Sequence, residues 1–560
     1  MFPTQKVLLG ALVLASLASL PGCKLNETPY DFYAPENLYK TQDDAEAAIA
    51  GVYTDLNSYD FFTKPYWEFL SEDNDEVAGP SWLLSSIGAG NYTGDYKTEK
   101  MYTGPYVVIS RANSVLERVP AISMNKDVQN RILGEARFMR AWSYFTLVQL
   151  FGPVPLRTQS VTGLADANTT RSSVADVYKQ IIDDLTQAET LMPYQDGPGA
   201  GALGHANKGA AQALLAKVYA TIGSGSLKSA QLTVQGGNDN KLYTYTKNVV
   251  AGYEGFDSKQ YYQLARDEAQ KLMTSGKYAL FTDYMDLWKK SNDNLTEHIF
   301  MVQTLANSLQ HGNYVSTYFT SPDQGGRAYM FMDNNFYHSF ARANDTRIAK
   351  GVVHRWFEDY GMGPNYSYYP REDSLKYYLV SVRTPTATAP AAKGDTVFAH
   401  YQNKAQINKY VVPGKPAAPN NNESLDAINY PLLRYADVLL TFAEAENEVN
   451  GNSAAAQAAL LQVRKRANPD ALASDPYLKL TSLSQTQLRN EIFAERGHEL
   501  YFECNRRYDL QRWGVWQQVM NQIGISKQNV NKNRLPRTLL LPLPTTEVLS
   551  SANIQQNAGW

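Results

Sequence analysis

The sequence has 560 residues, which is long enough for several domains or for one extended helical array. Its formal net charge of −3 indicates neither nucleic acid nor an acidic substrate as a partner, and its two cysteines exclude a disulfide scaffold. Aromatic residues make up 12% of the chain and include 38 Tyr. Because tyrosine often lies where a surface is apolar at one edge and wet at the other, this composition suggests a Tyr-rich binding surface.

The N-terminus carries a targeting signal. Lys6 precedes an apolar run over residues 7–20, which is too short to span a bilayer and ends at Leu20-Pro21-Gly22-Cys23. This pattern predicts a signal peptide over residues 1–22, and its end resembles a bacterial lipobox. Lipidation of Cys23 would anchor the chain stably through several acyl chains. Ordinary secretion with loss of Cys23 is the alternative, because Pro21 is unusual in a lipobox.

After a polar tether over residues 23–35, the sequence becomes strongly helical in its periodicity. Apolar residues recur at helical spacing and predict helices over residues 36–56, 130–152, 173–192, 208–222, 261–275, 433–449 and 454–466. Most of these helices form pairs that resemble tetratricopeptide units with lengthened connections. The predicted fold class is therefore mainly α, a tetratricopeptide-like array of helix pairs, and an irregular helical bundle is the alternative.

Two long regions interrupt this pattern. Residues 73–106 and 283–431 lack a helical seam and carry aromatic residues among Gly, Asn, Asp and Pro, which is typical of functional loops. The string Gly199-Ala200-Gly201-Ala202-Leu203-Gly204 matches a dinucleotide-binding fingerprint. It follows a predicted helix instead of a strand and lacks the expected acidic residue downstream, so we interpret it as a connector.

A row of glutamates marks the stretch 488–513, which we predict to be one helix. Glu491, Glu495, Glu499 and Glu503 lie four residues apart, and Arg507 ends the row, where it is expected to pair with Glu503. Neighbouring Glu residues could form the acid/base pair of a glycoside hydrolase. Alternatively, they could form an ion-pair network between helices, whose cations would come from Arg137, Arg140, Arg434 and Arg464. A zinc site at His498-Glu499 is dropped, since Phe502 stands where a second His is needed.

Several strings in the chain resemble one family when they are taken together and in order. They are Arg111-Ala112-Asn113, Gly134-Glu135-Ala136-Arg137, Phe151-Gly152-Pro153, Lys208-Gly209-Ala210, Pro431-Leu432-Leu433-Arg434-Tyr435, Glu495-Arg496, Leu541-Pro542-Leu543-Pro544 and Gln556-Asn557. Their ordered combination resembles the SusD/RagB family of outer-membrane nutrient-binding lipoproteins and covers nearly the whole chain, lipobox included.

The resemblance implies both a fold and a function. It implies a tetratricopeptide-like N-terminal region over residues 36–282 with a binding loop at 73–106. A C-terminal region follows over residues 283–560, with a loop-rich insertion at 283–431 and final helices at 432–513. The implied protein is anchored in the outer membrane by lipid, is exposed at the cell surface and is not an enzyme. It passes a glycan to a SusC-like TonB-dependent transporter.

A glycan site needs flat aromatic rings for the apolar faces of sugars and amide or carboxylate groups for their hydroxyls. We therefore predict that the ligand contacts are made by Trp82, Tyr92, Asn91, Asp75, Tyr329 and Trp356. The alternative for each aromatic residue is that it anchors its own loop. No cofactor is expected, and a Ca²⁺ ion among Asp73, Asp75 and Glu76 has no support beyond their spacing. A peptide ligand and a glycosidase activity are the competing functions.

Overall fold

The computed structural model describes residues 39–161, 170–306, 308, 311–358, 365–368, 381–382, 395–396, 405–415 and 425–560. The side chains of residues 323, 355–358, 365–368, 381–382 and 395–396 are outside this description. The signal peptide, Cys23 and the tether over residues 23–35 also lie outside the described residues. Buried apolar side chains in the described part form one continuous core.

The described chain is mainly helical, as the sequence predicted. The longer helices are α1 Gln42–Leu56, α2 Pro65–Glu72, α3 Tyr96–Arg118, α4 Lys126–Phe151, α5 Val174–Leu191, α6 Lys208–Ser226, α7 Ser258–Thr274, α8 Tyr435–Asn450, α9 Ala454–Ala467, α10 Gln485–Leu500, α11 Arg506–Arg512 and α12 Trp516–Ile523. Short α-helices lie at Ser81–Leu84, Val315–Phe319, Asn334–Tyr337, Thr346–Ala349 and Thr545–Ser550, and the longest 3₁₀ turn is Tyr284–Trp288.

The helix ends follow local sequence signals. Thr41 and Asp44 form a capping box at the start of α1, with each side chain accepting a hydrogen bond from the other residue's backbone N–H. Asn207 caps α6 by accepting from two backbone N–H groups. At the other end, α4 stops at Gly152 and α8 at Gly451, both with positive φ.

Consecutive helices pack side by side and build an array of pairs. In order along the chain, each of the helices from α3 to α8 packs on the next, and α8 also contacts α9 and α10. Small residues permit close approach, since a Cβ added at Gly223 would lie 2.9 Å from the ring of Tyr262 on α7. Helices α7 and α8 are neighbours although residues 275–434 separate them, so this long segment is an insertion into the array. The predicted fold class is confirmed.

Short strands join the loops to this frame. The strands are β1 Val77–Ala78, β2 Gln231–Gly236, β3 Lys241–Thr246, β4 His298–Val302, β5 Phe331–Met332, β6 Val352–Val353, β7 Arg355–Glu358, β8 Asn365–Tyr368, β9 Ser381–Val382, β10 Asp395–Thr396, β11 Gln406–Ile407 and β12 Tyr430–Arg434. They form two-stranded sheets, which are β1–β5, β2–β3, β4–β12, β6–β11, β7–β8 and β9–β10. The hairpin β2–β3 was not foreseen from the sequence.

Two predicted boundaries are wrong. The loop 73–106 was drawn too long, because α3 already begins at Tyr96 with Asp95 as its cap. The helix predicted over 488–513 is broken into α10 and α11. Phe502 and Cys504, with φ of 58° and 60°, turn the chain between them. Cys504 itself is buried and contacts the hydroxyl of Tyr430, as expected for a structural thiol.

The glutamate row is a buried ion-pair network. Glu495 lies 2.5 Å from Arg347 and 3.0 Å from Arg464, and Glu499 lies 2.6 Å from Arg434. Burial alone would raise the pKa of Glu495, but the charges of Arg347 and Arg464 outweigh it and lower this pKa to about 2. The network interpretation is confirmed, with Arg434 and Arg464 among the predicted cations.

Other predicted partners in this network were wrong. Arg137 and Arg140 pair with Asp184 on α5 instead of the glutamate row. Arg507 was expected to pair with Glu503 one helical turn away. Because the chain turns after α10, Glu503 pairs with Arg434 and Lys409, while Arg507 pairs with Asp73.

Candidate functional site

Strand pairing brings the two aromatic loops together. Val77 of β1 lies opposite Met332 of β5, and Ala78 lies opposite Phe331. Trp82 follows β1 and Tyr329 precedes β5, so the two side chains meet beside the strand pair. Their ring centroids are 5.2 Å apart and their planes are perpendicular, at 90°. The backbones approach closely here, since a Cβ added at Gly79 would lie 2.9 Å from the carbonyl oxygen of Tyr329.

The pair is the outer end of a row of rings that reaches the core. Trp82 is 64% exposed and Tyr329 is half-buried, whereas Tyr318 and Trp67 are buried. Centroids along the row Trp82, Tyr329, Tyr318 and Trp67 are each 5.2 Å from the next, in edge-to-face geometry. We call these four residues the aromatic ladder. It holds an exposed indole on a rigid support.

A lysine lies beside the middle of the ladder. The Nζ atom of Lys64 is 5.0 Å from the ring centroid of Tyr318 and 5.7 Å from that of Tyr314, which is within the range of cation–π attraction. Sequence reasoning did not include these three residues in the site. Their only signal in the sequence was that Tyr314 and Tyr318 belong to the aromatic-rich insertion over residues 283–431.

Asp75 was expected to accept hydroxyls from a sugar, but its carboxylate is not at the loop surface. It is buried, and Nε and Nη2 of Arg506 donate to its two oxygens at 2.7 and 2.6 Å. Burial follows from the turn at Phe502 and Cys504, which brings α11 and Arg506 against the loop. The carboxylate therefore fastens the loop to the helical frame.

Tyr92 also anchors its loop. The ring is fully buried, and its hydroxyl lies 2.9 Å from both carboxylate oxygens of Asp73. Asp73 in turn pairs with Arg507 and Arg534, so Tyr92 belongs to a buried polar cluster instead of a stacking surface. The competing interpretation, in which the aromatic residue holds its own loop, accounts for this placement.

Of the other predicted ligand-contact residues, one lies at the surface and the side chain of another is outside the described residues. Asn91 is exposed, and its amide nitrogen donates to the carbonyl of Ser85 at 3.0 Å, which closes the turn near Trp82. Trp356 lies in β7, but its side chain is outside the described residues. The structure therefore joins Trp82 with Tyr329 and leaves Trp356 as a prediction.

The acids Asp73, Asp75 and Glu76 all have partners within the protein. Asp73 and Asp75 are paired with arginines, and the Phe502 N–H donates to Glu76 at 2.9 Å. Burial raises the pKa of Glu76 to about 8. Across the described part of the chain, no group of three or more His, Cys, Asp and Glu side chains could hold a metal ion.

The paired-carboxylate hypothesis required Glu495 and Glu499 to face a solvent cleft. Both side chains are fully buried and surrounded by arginines, so neither can reach a polysaccharide as an acid or a base. The glycosidase hypothesis for this pair is therefore wrong. Separately, none of the helices in the described residues is both long and apolar enough to cross a membrane.

Comparisons with known proteins identify the family. A family model described as "SusD family" matches residues 239–560, and one described as "Starch-binding associating with outer membrane" matches residues 33–220. SusD-like protein P2 from Formosa agariphila is 27% identical over 568 residues, covering 97% of each chain.

Solved structures agree on the fold. A SusD homologue from Bacteroides thetaiotaomicron has a TM-score of 0.73 at 22% identity, covering 94% of this chain and 98% of that one. A structure described as a laminarin-binding SusD-like protein has a TM-score of 0.64 at 22% identity, covering 93% of this chain and all of the other. Since one family model spans more than half of the chain, the protein belongs to the SusD family, a group of glycan-binding proteins associated with the outer membrane.

Proposed function

We propose that the protein captures an oligosaccharide or polysaccharide on the aromatic ladder, without cleaving it, and delivers it to a SusC-like TonB-dependent transporter. The observation that carries this proposal is the exposure of Trp82, whose indole is 64% accessible while its neighbours in the ladder are increasingly buried. A large aromatic ring held rigidly at the surface is costly to hydrate and well suited to stacking.

The surrounding chemistry supports a sugar ligand. A pyranose ring offers an apolar face to the indole of Trp82, and its hydroxyls need polar partners at the rim. Asn91, on the same loop, supplies an exposed amide, and Trp356 is proposed to add a second ring. Names of relatives favour the same class, since family members are described as starch-binding and laminarin-binding.

Anchoring and delivery form the second part of the proposal. We infer that Cys23 is lipidated and holds the chain at the outer membrane, exposed at the cell surface. The match to a family model described as associating with the outer membrane supports this location. A tethered binding protein would raise the concentration of glycan near a transporter mouth, since a tether replaces free diffusion by a high effective concentration.

The test is a titration of the purified protein with laminarin and maltose oligosaccharides and, in parallel, with mixed oligopeptides. We expect saturable binding of at least one saccharide series and a large loss of affinity in Trp82→Ala. The midpoint of thermal unfolding should shift by only a few degrees, because this side chain is mostly exposed.

The matched control is Leu549→Ala, which removes another exposed apolar side chain, one that is 80% accessible. It should leave the affinity unchanged. Binding of oligopeptides but no saccharide would replace the glycan by a peptide as the ligand. A large loss of stability in Trp82→Ala with unchanged affinity would assign the indole to packing.

A further inference from the structure

Two exposed tyrosines lie outside the aromatic ladder. Tyr59 is in the turn between α1 and α2, and Tyr96 is the first residue of α3. The two residues are 51% and 49% exposed. The carboxylate of Asp60, which follows Tyr59, lies 3.2 Å from Nζ of Lys100, which is one helical turn after Tyr96. This ion pair joins the turn to the helix, and we call the four residues the tyrosine platform.

Tyr59 is carried by a tight turn. The carbonyl of Ser58 accepts hydrogen bonds from the N–H groups of Phe61 and Thr63, at 3.0 and 3.1 Å. The side chain of Phe61 is fully buried and fixes the turn to the core. The exposed ring of Tyr59 is therefore presented by a fixed piece of backbone, as the indole of Trp82 is.

Tyr96 is held by its neighbours on α2 and α3. Its hydroxyl donates to Oε2 of Glu68 at 3.2 Å, and Asp95 caps α3 by accepting from the N–H of Lys97 at 2.8 Å. The Nζ atom of Lys97 lies 6.0 Å from the centroid of the Tyr96 ring, and half of the residue still faces solvent. A side chain that is already fixed loses little conformational entropy when a ligand stacks on it.

The tyrosine platform is next to the aromatic ladder. Lys64 lies four residues after Asp60, and its Nζ is 5.0 Å from the ring centroid of Tyr318, a member of the ladder. The N–H of Glu68, which holds Tyr96, donates to the carbonyl of Lys64 at 3.1 Å. One helical turn of α2 therefore connects the ladder to the platform.

The residues at this junction remain accessible. Lys64, Tyr314 and Tyr329 are each half-buried, so partly exposed side chains continue from the outer end of the ladder at Trp82 towards α2. A molecule long enough to lie along this path contacts both surfaces.

The chemistry of the tyrosine platform fits a sugar chain. Its rings offer flat apolar faces, and between them the side chains of Asp60 and Lys100 are 67% and 29% exposed. An apolar protein surface would have to remove water from this ion pair, which costs free energy. Sugar hydroxyls replace that water, because they donate to the carboxylate and accept from the ammonium group. The two opposite charges give no preference for a charged ligand.

From this arrangement we propose that the tyrosine platform is a second stacking surface for the same polysaccharide chain that the aromatic ladder captures. The ligand is then a chain of several sugar units and not a mono- or disaccharide. This inference rests on the proposed function, because it extends capture at the ladder. Once a chain is bound at the ladder, its second contact is intramolecular, so affinity rises with chain length until both surfaces are occupied.

The test begins with affinity electrophoresis of the full protein in gels that contain laminarin, starch, xylan or alginate. Calorimetry follows with the polysaccharide that retains the protein and with a trisaccharide and a hexasaccharide of the same linkage. Tyr59→Ala combined with Tyr96→Ala removes both rings, and Tyr59→Phe combined with Tyr96→Phe keeps them. Val107→Ala, at a residue of α3 that is 48% exposed and outside the platform, is the matched control. Trp82→Ala reports on the ladder in the same assay.

We expect the double alanine variant to bind the polysaccharide and the hexasaccharide about tenfold more weakly, because two stacking contacts are lost. Its affinity for the trisaccharide should equal that of the wild type, because the ladder is intact. The double phenylalanine variant and Val107→Ala should bind all three as the wild type does. Tyr59→Ala alone leaves the hydrogen bond between Tyr96 and Glu68 in place, and it should show a smaller loss in the same direction.

The proposal is overturned if the double alanine variant binds the polysaccharide as well as Val107→Ala does, or if its affinity for the trisaccharide falls equally. It is also overturned if the double phenylalanine variant loses as much affinity as the double alanine variant. In these cases a loss of affinity in Trp82→Ala would leave capture at the ladder standing. Retention of the wild type in none of the gels, or equal retention of Trp82→Ala, would refute the proposed function and this extension together.

Discussion

Trp82 and Tyr92 lie on the same loop, but their surroundings give them different roles. Tyr92 has an acid, Asp73, at its hydroxyl and is enclosed by Phe69 and Trp560, whereas Trp82 contacts Tyr329 and otherwise faces solvent. Nothing in the local sequence distinguishes the two rings, because the partners that bury Tyr92 come from distant parts of the chain. Exposure, not residue type, is the reason that Trp82 is the proposed binding residue.

At this scale we predict that Tyr92→Phe behaves oppositely to Trp82→Ala. Removing the hydroxyl leaves the buried carboxylate of Asp73 with one donor fewer, which should cost about 1–3 kcal/mol of folding free energy. Affinity for the glycan should stay unchanged, since the ring is fully buried. Urea unfolding and a saccharide titration of the same sample measure both quantities. Weakened binding at full stability would return Tyr92 to the ligand surface.

At the scale of elements, periodicity gave the helices and their pairing, because apolar spacing is a local property. Ion pairs between residues far apart in the sequence were harder to predict. The sequence predicted that the glutamate row needed cations and named Arg434 and Arg464 correctly, but it missed Arg347, which lies in the loop-rich insertion. It also missed the break between α10 and α11, because positive φ at Phe502 and Cys504 is imposed by tertiary contacts.

The candidate site was predicted only in part for the same reason, since local patterns are visible in the sequence and long-range contacts are not. Trp82 and Tyr329 were both predicted, but only the β1–β5 register brings them together, and pairing of two-residue strands has no signal in a single sequence. Asp75 was assigned to the ligand because a sugar site needs carboxylate or amide groups for the hydroxyls, and Asp75 lies near Trp82 in the sequence. Its burial depends on Arg506, which reaches it only because of the turn before α11.

The buried network on α10 leads to a stability prediction. Glu499→Ala should destabilise the protein by about 3–5 kcal/mol, because it leaves Arg347, Arg434 and Arg466 without their shared buried carboxylate. Glu491→Ala, on the same helix, is the control. Its side chain is 43% exposed, so its loss should cost at most about 1 kcal/mol. Denaturant unfolding compares the two, and equal losses would refute a special role for the buried row.

The buried side chain of Glu76 leads to a prediction of pH dependence. Burial raises the pKa of this group to about 8, above its ordinary value of 4.5. The folded chain therefore holds the proton more tightly than the unfolded chain, and this contribution to stability is full below about pH 4.5 and is lost as pH rises towards 8. Glu76→Gln, which cannot ionise, should match the wild type near pH 5 and exceed its stability at about pH 8.

Unfolding free energies measured across this pH range check the sign of the effect. The comparison with Gln isolates Glu76 from the other titrating groups, because they are present in both proteins. A variant that is less stable than the wild type at about pH 8 would mean that Glu76 is ionised and paired in the folded protein.

At the scale of the whole molecule, the array of helix pairs acts as a frame, and the segment between α7 and α8 supplies part of the proposed binding surface. Tyr329 comes from this insertion and Trp82 from the loop before α3, so the site combines two distant parts of one chain. Insertions of this kind can vary in sequence without disturbing the array, because α7 and α8 pack directly on each other.

The proposed tether is tested by Cys23→Ser in the natural host. The wild-type chain should fractionate with the outer membrane and incorporate labelled fatty acid, because the proposed acyl chains attach at this thiol. The variant should incorporate none and leave the membrane fraction. A variant that remains membrane-bound and labelled would place the anchor elsewhere, and an unlabelled wild type would favour ordinary secretion.

The most direct measurement is a glycan array probed in parallel with the wild-type protein and with Trp82→Ala. We predict that the wild type retains a defined group of structurally related glycans and that the variant loses them, since the exposed indole is the proposed main stacking surface. If the wild type retains no glycan, or if both proteins retain the same glycans with equal strength, the aromatic ladder is not the capture site.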